Sequence, residues 1–218
     1  MKINKNDRVN GTDQQMTKIK TIARAGASLF GAKGYPETSM DDIAKASRMT
    51  KGGVYHYFHS KEEILHFICS ACIDLKLRDL EEILENVADP TERVRLVIVC
   101  LVNHSTRNAR TARIMLNESR NLSQKRLKII REKERRCLEI VTGVIADFLA
   151  QHPRGKIVTA LCYALFGMLD GMCLRFDPKH DPAPEELSQL IFVLFVDGTR
   201  NMVSALSPAG RGGRVSNA

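Results

Sequence analysis

The chain has 218 residues, 44% of them hydrophobic, and a formal net charge of +8, so it is long enough to bury a full core in one or two domains. No stretch approaches the roughly 18 apolar residues that a membrane span needs, and the polar N-terminus lacks an apolar signal region. These features exclude a membrane protein and argue against secretion. We therefore expect a cytoplasmic protein whose six cysteines stay reduced.

The positive charge is concentrated in two zones. Residues 1–60 carry a net charge of +5 and residues 107–136 carry +8, whereas 61–106 and 137–218 carry −4 and −1. The first zone fits phosphate binding. The second zone has two interpretations. It is either a solvated helix face with salt bridges or a cationic rim that binds an anionic ligand. Arginine suits the second, because it binds phosphate through a rigid fork of donors.

Helical periodicity runs through the whole chain without a convincing strand pair or hairpin, so the sequence predicts an all-α fold. The predicted helices cover about 17–33, 40–47, 51–57, 61–86, 90–105, 108–120, 123–151, 154–175 and 185–205. We expect a disordered arm over 1–15, a helix-turn-helix domain over 16–62, a ligand-binding and dimerisation domain over 63–206, and a disordered tail over 207–218.

Residues 38–61 have the pattern of two short helices joined by a tight turn. Ser39 and Asp42 have the spacing of a capping box, and Thr50 is placed to cap the second helix. That second helix, residues 51–57, is polar and basic and too short to be stable alone in water. A short polar helix that a scaffold must present is typical of a helix-turn-helix DNA reader.

The last two predicted helices are apolar over much of their circumference. They include the apolar residues of 161–172 and the uninterrupted apolar run 190–196. A helix that is apolar all round must be buried on both sides. In a chain of this size, a second subunit is the expected cover, so the sequence predicts a homodimer through these two helices.

A series of motif residues at fixed spacing carries a family resemblance. They are the apolar stripe ending in Phe30, Lys33-Gly34-Tyr35, Thr38 to Met40, Asp42-Ile43-Ala44, Thr50 to Phe58, and Ser60 to Leu65. Together they resemble the TetR family of transcriptional repressors, most strongly over residues 17–65. The resemblance implies nine or ten helices, a dimer built on the last two long helices, and a ligand cavity in the C-terminal domain.

The resemblance also implies the partner, a double-stranded DNA operator of near-palindromic sequence, and the residues that contact it. Those residues are Thr38, Ser39, Arg48, Thr50, Lys51, Gly52, Gly53, Tyr55, His56 and Lys61. Among them, Thr38 and Lys61 are expected to meet phosphates, and Arg48 to reach a base edge. Two alternatives stay open, because Tyr55 also suits packing against the first helix and Lys61 also suits a solvated helix start.

Some members of the family bind acyl-CoA thioesters, and residues 118–136 and 175–187 resemble that subgroup. The implied effector is an acyl-CoA from fatty-acid or aromatic-acid catabolism. The alternatives are a hydrophobic drug-like ligand that controls an efflux or stress operon, and a ligand sensor with weak DNA binding. The candidate effector-binding residues, each of which also suits an ordinary structural role, are Asn103, Arg107, Arg110, Met115, Glu118, Phe166 and Leu169.

No catalytic or metal-binding constellation is evident. His66, Cys69 and Cys72 recur at a spacing of three on one predicted helix, but one helix supplies too few ligands for a closed zinc site, so we interpret them as core residues. A Gly-rich phosphate loop, a nucleophile elbow and a His-Glu-x-x-His motif are all missing from the sequence. We therefore expect no enzymatic activity, no metal and no cofactor.

Overall fold

The computed structural model describes residues 5–107, 109–149 and 155–206. Within these ranges the protein is all α-helical, which confirms the predicted fold class, and it contains no strand. The helices are α1 (Lys5–Lys33), α2 (Met40–Ala46), α3 (Lys51–Tyr55), α4 (Lys61–Leu84), α5 (Pro90–Arg107), α6 (Ala109–Glu118), α7 (Gln124–Phe148), α8 (Lys156–Arg175) and α9 (Pro184–Leu206), with a 3-10 turn at Ser119–Asn121. None of these helices, over the ranges described, has the length and apolarity that a bilayer span requires.

Helix α1 begins much earlier than the sequence predicts. The helix begins at Lys5 and not near residue 17, and the expected disorder of the arm over 1–15 stays a prediction. This segment contains no proline, and a helix that is already anchored gains one backbone hydrogen bond per added residue without a new nucleus. Residues 1–4 and the predicted tail 207–218 lie outside the described residues.

The chain divides into two compact units. Unit one comprises Met1–Leu75 and Arg110–Glu134, and unit two comprises Lys76–Ala109 and Arg135–Ala218. Helices α4 and α7 contribute residues to both units. These units do not coincide with the predicted boundary at residues 62 and 63, which stays a prediction. Much of the second basic zone, assigned from sequence to the regulatory domain, belongs to unit one.

Helices α1, α2, α3 and α4 each contribute at least one buried apolar side chain to the core of unit one. Ile22 of α1, Ile43 of α2, Val54 of α3 and Ile64 of α4 are completely buried. A Cβ atom on Gly26 would lie 2.8 Å from the Ile64 side chain, so α1 and α4 approach closely at this glycine. Burial of these side chains is the main stabilisation available to the short helices α2 and α3.

The core of unit two is centred on α5, which packs against α9 and α8. Ile98 and Leu101 of α5 are buried, as are Ile191 and Phe195 of α9 and Leu165 of α8. The remaining faces of α8 and α9 carry exposed apolar residues, which bear on assembly.

The two units differ sharply in charge. Unit one holds 19 Lys and Arg residues against 11 Asp and Glu, a net charge of +8, whereas unit two holds 14 of each. The excess positive charge of the whole chain therefore belongs to the unit that contains α2 and α3.

Candidate nucleic-acid interface

The first helix of the predicted reader is fixed by a capping box. The Ser39 hydroxyl accepts a hydrogen bond from the Asp42 backbone N–H at 3.1 Å, and the Asp42 carboxylate accepts one from the Ser39 N–H at 2.9 Å. This confirms the predicted cap of α2. A hydrogen bond from Lys33 at 2.8 Å, together with those from Ser39, holds the pKa of the Asp42 carboxyl well below its usual range. The cap therefore contains a carboxylate at any pH near neutral.

The turn between α2 and α3 is closed by a residue in an unusual conformation. Arg48 has a φ of 55°, in the left-handed region, which costs a non-glycine residue roughly 1–2 kcal/mol. Its backbone N–H donates to Lys45 O at 3.1 Å, and the next N–H, of Met49, donates to Ala44 O at 3.0 Å. The Arg48 side chain is exposed and forms no hydrogen bond or ion pair with the described residues. A strained position that presents a free guanidinium group is consistent with a contact to a ligand.

The second helix, α3, is capped by Thr50, as predicted. The Thr50 hydroxyl accepts a hydrogen bond from the Gly53 N–H at 3.0 Å. Tyr55 at the end of this helix is 39% exposed, so packing against α1 does not bury it.

The two glycines of α3 have different reasons to be glycine. A Cβ atom on Gly53 would lie 3.1 Å from the Thr50 hydroxyl oxygen and would crowd the cap. A Cβ atom on Gly52 would meet nothing within 4 Å, so packing inside the protein does not explain the missing side chain. Because Gly52 is exposed, we interpret it as a site where an external surface approaches the backbone closely.

Half of the predicted DNA-contact residues line one open depression of about 590 Å³. These residues are Thr38, Ser39, Lys51, Tyr55 and Lys61, and Asp41, His59 and Ser60 are among the residues that complete the wall. Lys51 forms an ion pair with Asp41 at 2.9 Å in which both side chains are more than half exposed. Such a pair contributes little to stability, so the lysine is available to exchange Asp41 for a phosphate. The other predicted contact residues belong to the turn and to α3 or its caps, namely Arg48, Thr50, Gly52, Gly53 and His56.

The ammonium group of Lys61 makes hydrogen bonds inside the protein, and its predicted phosphate contact stays a prediction. It donates to the backbone carbonyls of Tyr35 at 2.9 Å, Pro36 at 2.9 Å and Thr38 at 3.0 Å, and it lies 4.5 Å from the centre of the Tyr35 ring. A lysine has three donors, and all three are used here. Lys61 therefore fixes the loop between α1 and α2.

The Thr38 side chain is engaged inside the protein, and its predicted phosphate contact stays a prediction. The side chain is 1% exposed, and its hydroxyl donates to the Gly34 carbonyl at 2.8 Å, so no donor remains for a phosphate oxygen. The Ser39 hydroxyl is similarly committed, because it donates to the Asp42 carboxylate at 2.7 Å in addition to its capping bond. Both hydroxyl groups are therefore used in hydrogen bonds inside unit one.

The sequence interpretation missed a contact between α4 and the start of α7. The Ser123 N–H donates to Glu62 at 2.9 Å, and Arg126 donates to Glu63 at 3.2 Å. The other Glu63 oxygen accepts a hydrogen bond from the His59 N–H, in the turn between α3 and α4, at 2.6 Å. The hydrogen bonds from Ser123 are the main reason that the pKa of Glu62 is lowered. Helical periodicity does not relate residues some 60 positions apart. The opposite charges of Arg126 and the two glutamates were the only sign of this contact in the sequence.

The seven candidate effector residues are divided between the units. Asn103, Arg107, Phe166 and Leu169 lie in unit two, whereas Arg110, Met115 and Glu118 lie in unit one. In unit two, Asn103 lines a cavity of about 230 Å³ together with Arg95, Ser188 and the start of α9, and Asn103 is the sole candidate that lines it. The Oδ1 atom of Asn103 is buried and has no hydrogen-bond partner among the described residues.

The candidates in unit one are already engaged with their own unit. Arg110 donates to the Ser28 hydroxyl at 3.3 Å, and its side-chain stem lies against Gly31 of α1. Glu118 accepts a hydrogen bond from Asn121 at 2.8 Å. Arg110 thus lies against α1 of its own unit, and the effector roles of these candidates stay predictions.

The Cys-x-x-Cys segment is part of the helical packing of α4. Cys69 is completely buried, and burial raises the pKa of its thiol to about 12, so the sulfur stays protonated and unreactive. The interpretation of Cys69 as a core residue is confirmed. Across the described ranges, His, Cys, Asp and Glu side chains do not gather in any group of three that could hold a metal ion.

Two family models match consecutive parts of the chain. The model for bacterial regulatory proteins of the tetR family matches residues 22–68, and the model for the tetracyclin repressor-like C-terminal domain matches residues 87–199. The fatty acid metabolism regulator protein of Bacillus subtilis (strain 168) is 24% identical over 196 residues, which cover 86% of this chain and 98% of that protein.

Solved structures give the same result for the fold. The structure of AibR in complex with isovaleryl coenzyme A and operator DNA superposes with a TM-score of 0.73 at 25% identity, and the match covers 82% of this chain and 98% of AibR. A TetR-family transcriptional regulator from Bordetella parapertussis 12822 superposes with a TM-score of 0.77 at 24% identity, over 84% of this chain and 96% of that chain.

The two glycines of α3 give a matched pair of variants. We expect Gly52→Ala to leave the free energy of unfolding unchanged or raise it by up to about 1 kcal/mol, because alanine favours the helix and meets no neighbour. Gly53→Ala should be less stable than Gly52→Ala, because its methyl group crowds the Thr50 cap. Binding to duplex DNA, measured by fluorescence anisotropy, should fall at least about tenfold for Gly52→Ala. Wild-type affinity in that variant would show that nothing approaches this backbone.

The role of Lys61 can be separated from a phosphate contact by two measurements. Lys61→Met keeps the stem and removes the three hydrogen bonds, so urea unfolding should show a loss of about 2 kcal/mol. The salt dependence of DNA affinity should keep its slope, because no phosphate contact is lost. Lys18→Gln, at an exposed position of α1, is the control for loss of one charge. Unchanged stability with a reduced slope would instead identify Lys61 as a phosphate ligand.

Proposed function

The chain belongs to the TetR family of bacterial regulatory proteins, and from this membership we propose that it is a ligand-responsive repressor that binds a near-palindromic operator as a homodimer. Members of this family are DNA-binding transcriptional regulators and not enzymes. The observation that carries the proposal is the exposed, capped helix α3, which presents Lys51, Gly52 and Tyr55 on the unit that holds the excess positive charge.

One copy of α3 makes too few contacts to specify an operator. A helix of five residues reaches only a few base pairs, and two copies held about one DNA turn apart would read a near-palindromic site. The proposal therefore needs a dimer, and unit two offers a surface for it.

The outer faces of α8 and α9 support this dimer. Tyr163 of α8 is 62% exposed, and Leu190 and Leu194 of α9 are 54% and 58% exposed. Glycines 167 and 171 of α8 are exposed on the same helix as Tyr163, and a Cβ atom on either would meet nothing within 4 Å. Large apolar side chains beside open glycines form a surface that a second copy can cover closely.

The effector that we propose is an acyl-CoA thioester. The support is the likeness to AibR, whose structure contains isovaleryl coenzyme A and operator DNA, and to a protein named as a fatty acid metabolism regulator. The cavity at Asn103 has about 230 Å³, which is below the roughly 300–1,000 Å³ of pockets for drug-sized ligands. The cavity is therefore too small for an acyl-CoA, which in the proposal either enlarges unit two or binds elsewhere on it.

This size mismatch gives the proposed switch its physical basis. A ligand shifts an equilibrium only as far as its affinities for the two states differ. A thioester that fits only an enlarged form of unit two favours that form strongly. In the proposal, the enlarged form holds the recognition helices of the dimer at a spacing that no longer matches the operator.

Introducing negative charges on the outer face of α9 tests the proposed dimer surface. The double variant Leu190→Glu/Leu194→Glu should be a monomer by light scattering after size-exclusion chromatography, because its interface would bury two carboxylates from each copy. It should also lose tight binding to a palindromic site and keep weak non-specific binding. Leu116→Glu, at an apolar residue of unit one that is 44% exposed, is the control and should remain a dimer. A dimeric double variant would contradict this interface.

The function itself is tested by selection and calorimetry. Wild-type protein should enrich near-palindromic duplexes from a random-sequence library, and acyl-CoA should release the selected duplex. Titration with a short-chain and a long-chain acyl-CoA, the matching free acids and a cationic dye should give tight binding for a thioester only. Equal binding of the free acid would remove any role for the CoA phosphates. Release by the dye alone would replace the acyl-CoA proposal with a drug-responsive one.

A further inference from the structure

We propose that the outer face of α7 in unit one is a second surface for DNA phosphates, separate from the helix-turn-helix. This outer α7 face consists of Lys125, Lys128 and Arg131, with Arg120 in the 3-10 turn just before the helix. The inference rests on the proposed DNA-binding function and extends the footprint of the protein beyond the recognition helix.

The cations at the start of α7 fall into two sets with opposite environments. The inner set is paired with α4, since Arg126 contacts Glu63 at 3.2 Å and Lys133 contacts Asp74 at 2.6 Å. The outer set is exposed and forms no hydrogen bond or ion pair with the residues that the structure describes. Residues three apart on a helix are neighbours, so Lys125, Lys128 and Arg131 form one continuous row.

A solvated helix face with salt bridges does not account for this row. The segment 119–131 contains no acidic residue, and Glu132 and Glu134, which follow on α7, form no ion pair with the row in the part of the chain that the structure describes. The acids Glu62, Glu63 and Asp74 of α4 are engaged with the inner set. The row also belongs to the unit with a net charge of +8, while unit two is neutral. An unneutralised row of cations on a positive unit attracts a polyanion.

The row begins beside the helix-turn-helix. Glu63 accepts hydrogen bonds from the His59 N–H in the turn that follows α3 and from Arg126 of α7, so one carboxylate joins the two segments. Lys125, the first residue of the row, directly precedes Arg126 in the chain. The start of the row is therefore tied to the turn that follows α3, and in the proposal the phosphates of a duplex bound at α3 are the polyanion that these cations meet.

Salt dependence measures this contact directly. The variant Lys125→Gln/Lys128→Gln is compared with Lys156→Gln/Lys179→Gln, which removes two exposed lysines from unit two. The probes are the duplex selected by the wild-type protein and a random-sequence duplex of the same length. We expect the slope of log affinity against log salt to shrink by about 1 for each lysine that meets a phosphate, equally for both probes. The control variant should keep the wild-type slope.

Three outcomes decide the inference. A reduced slope in Lys125→Gln/Lys128→Gln, restored by Lys125→Arg/Lys128→Arg, supports it. A wild-type slope of log DNA affinity against log salt in Lys125→Gln/Lys128→Gln overturns the inference. If the affinity of that variant for acyl-CoA is reduced as well, the row serves the effector. Failure of the wild-type protein to bind any duplex at low salt overturns the proposed function and this inference together. Circular dichroism melts confirm that the variants are folded.

Discussion

A recognition helix of five residues cannot hold its shape in water, and the architecture of unit one follows from that constraint. Thr50 caps the helix at one end, and Val54 anchors it in the core. The loop before α2 is held by Lys61, and the turn after α3 by Glu63. Polar side chains thus replace, at the ends of α2 and α3, the stability that longer helices would obtain from their own length. The exposed residues of α3 are left to make outside contacts.

The charge of the molecule has a simpler distribution in space than in sequence. Along the chain there are two basic zones, and the second lies in the half assigned to regulation. In the fold, most of this second zone joins unit one, where Arg126 and Lys133 neutralise carboxylates of α4. Unit two is left without net charge. Electrostatic attraction to a nucleic acid is therefore concentrated on one unit, and the proposed recognition of an effector by the other unit would have to use local groups.

The features that the sequence predicts correctly are those that depend on residues close together in the chain. The capping box of Ser39 and Asp42, the cap at Thr50 and most helix boundaries agree with the structure, because each depends on residues a few positions apart. The internal hydrogen bonds of Thr38 and Lys61 could not be predicted, since they are made to backbone carbonyls that no side-chain pattern reveals. The contact of α4 with α7 was invisible for the related reason that it joins distant segments.

The left-handed backbone at Arg48 limits how this reader can evolve. Glycine, asparagine and aspartate tolerate that conformation best, and β-branched residues tolerate it least. A mutation towards valine, isoleucine or threonine would therefore damage the turn before it could alter DNA specificity. The substitutions that keep the turn are mainly small or polar, and they shorten the reach of the side chain. Under the proposed function, new operator preferences in descendants of this protein should consequently arise from Lys51 or Tyr55 more readily than from Arg48.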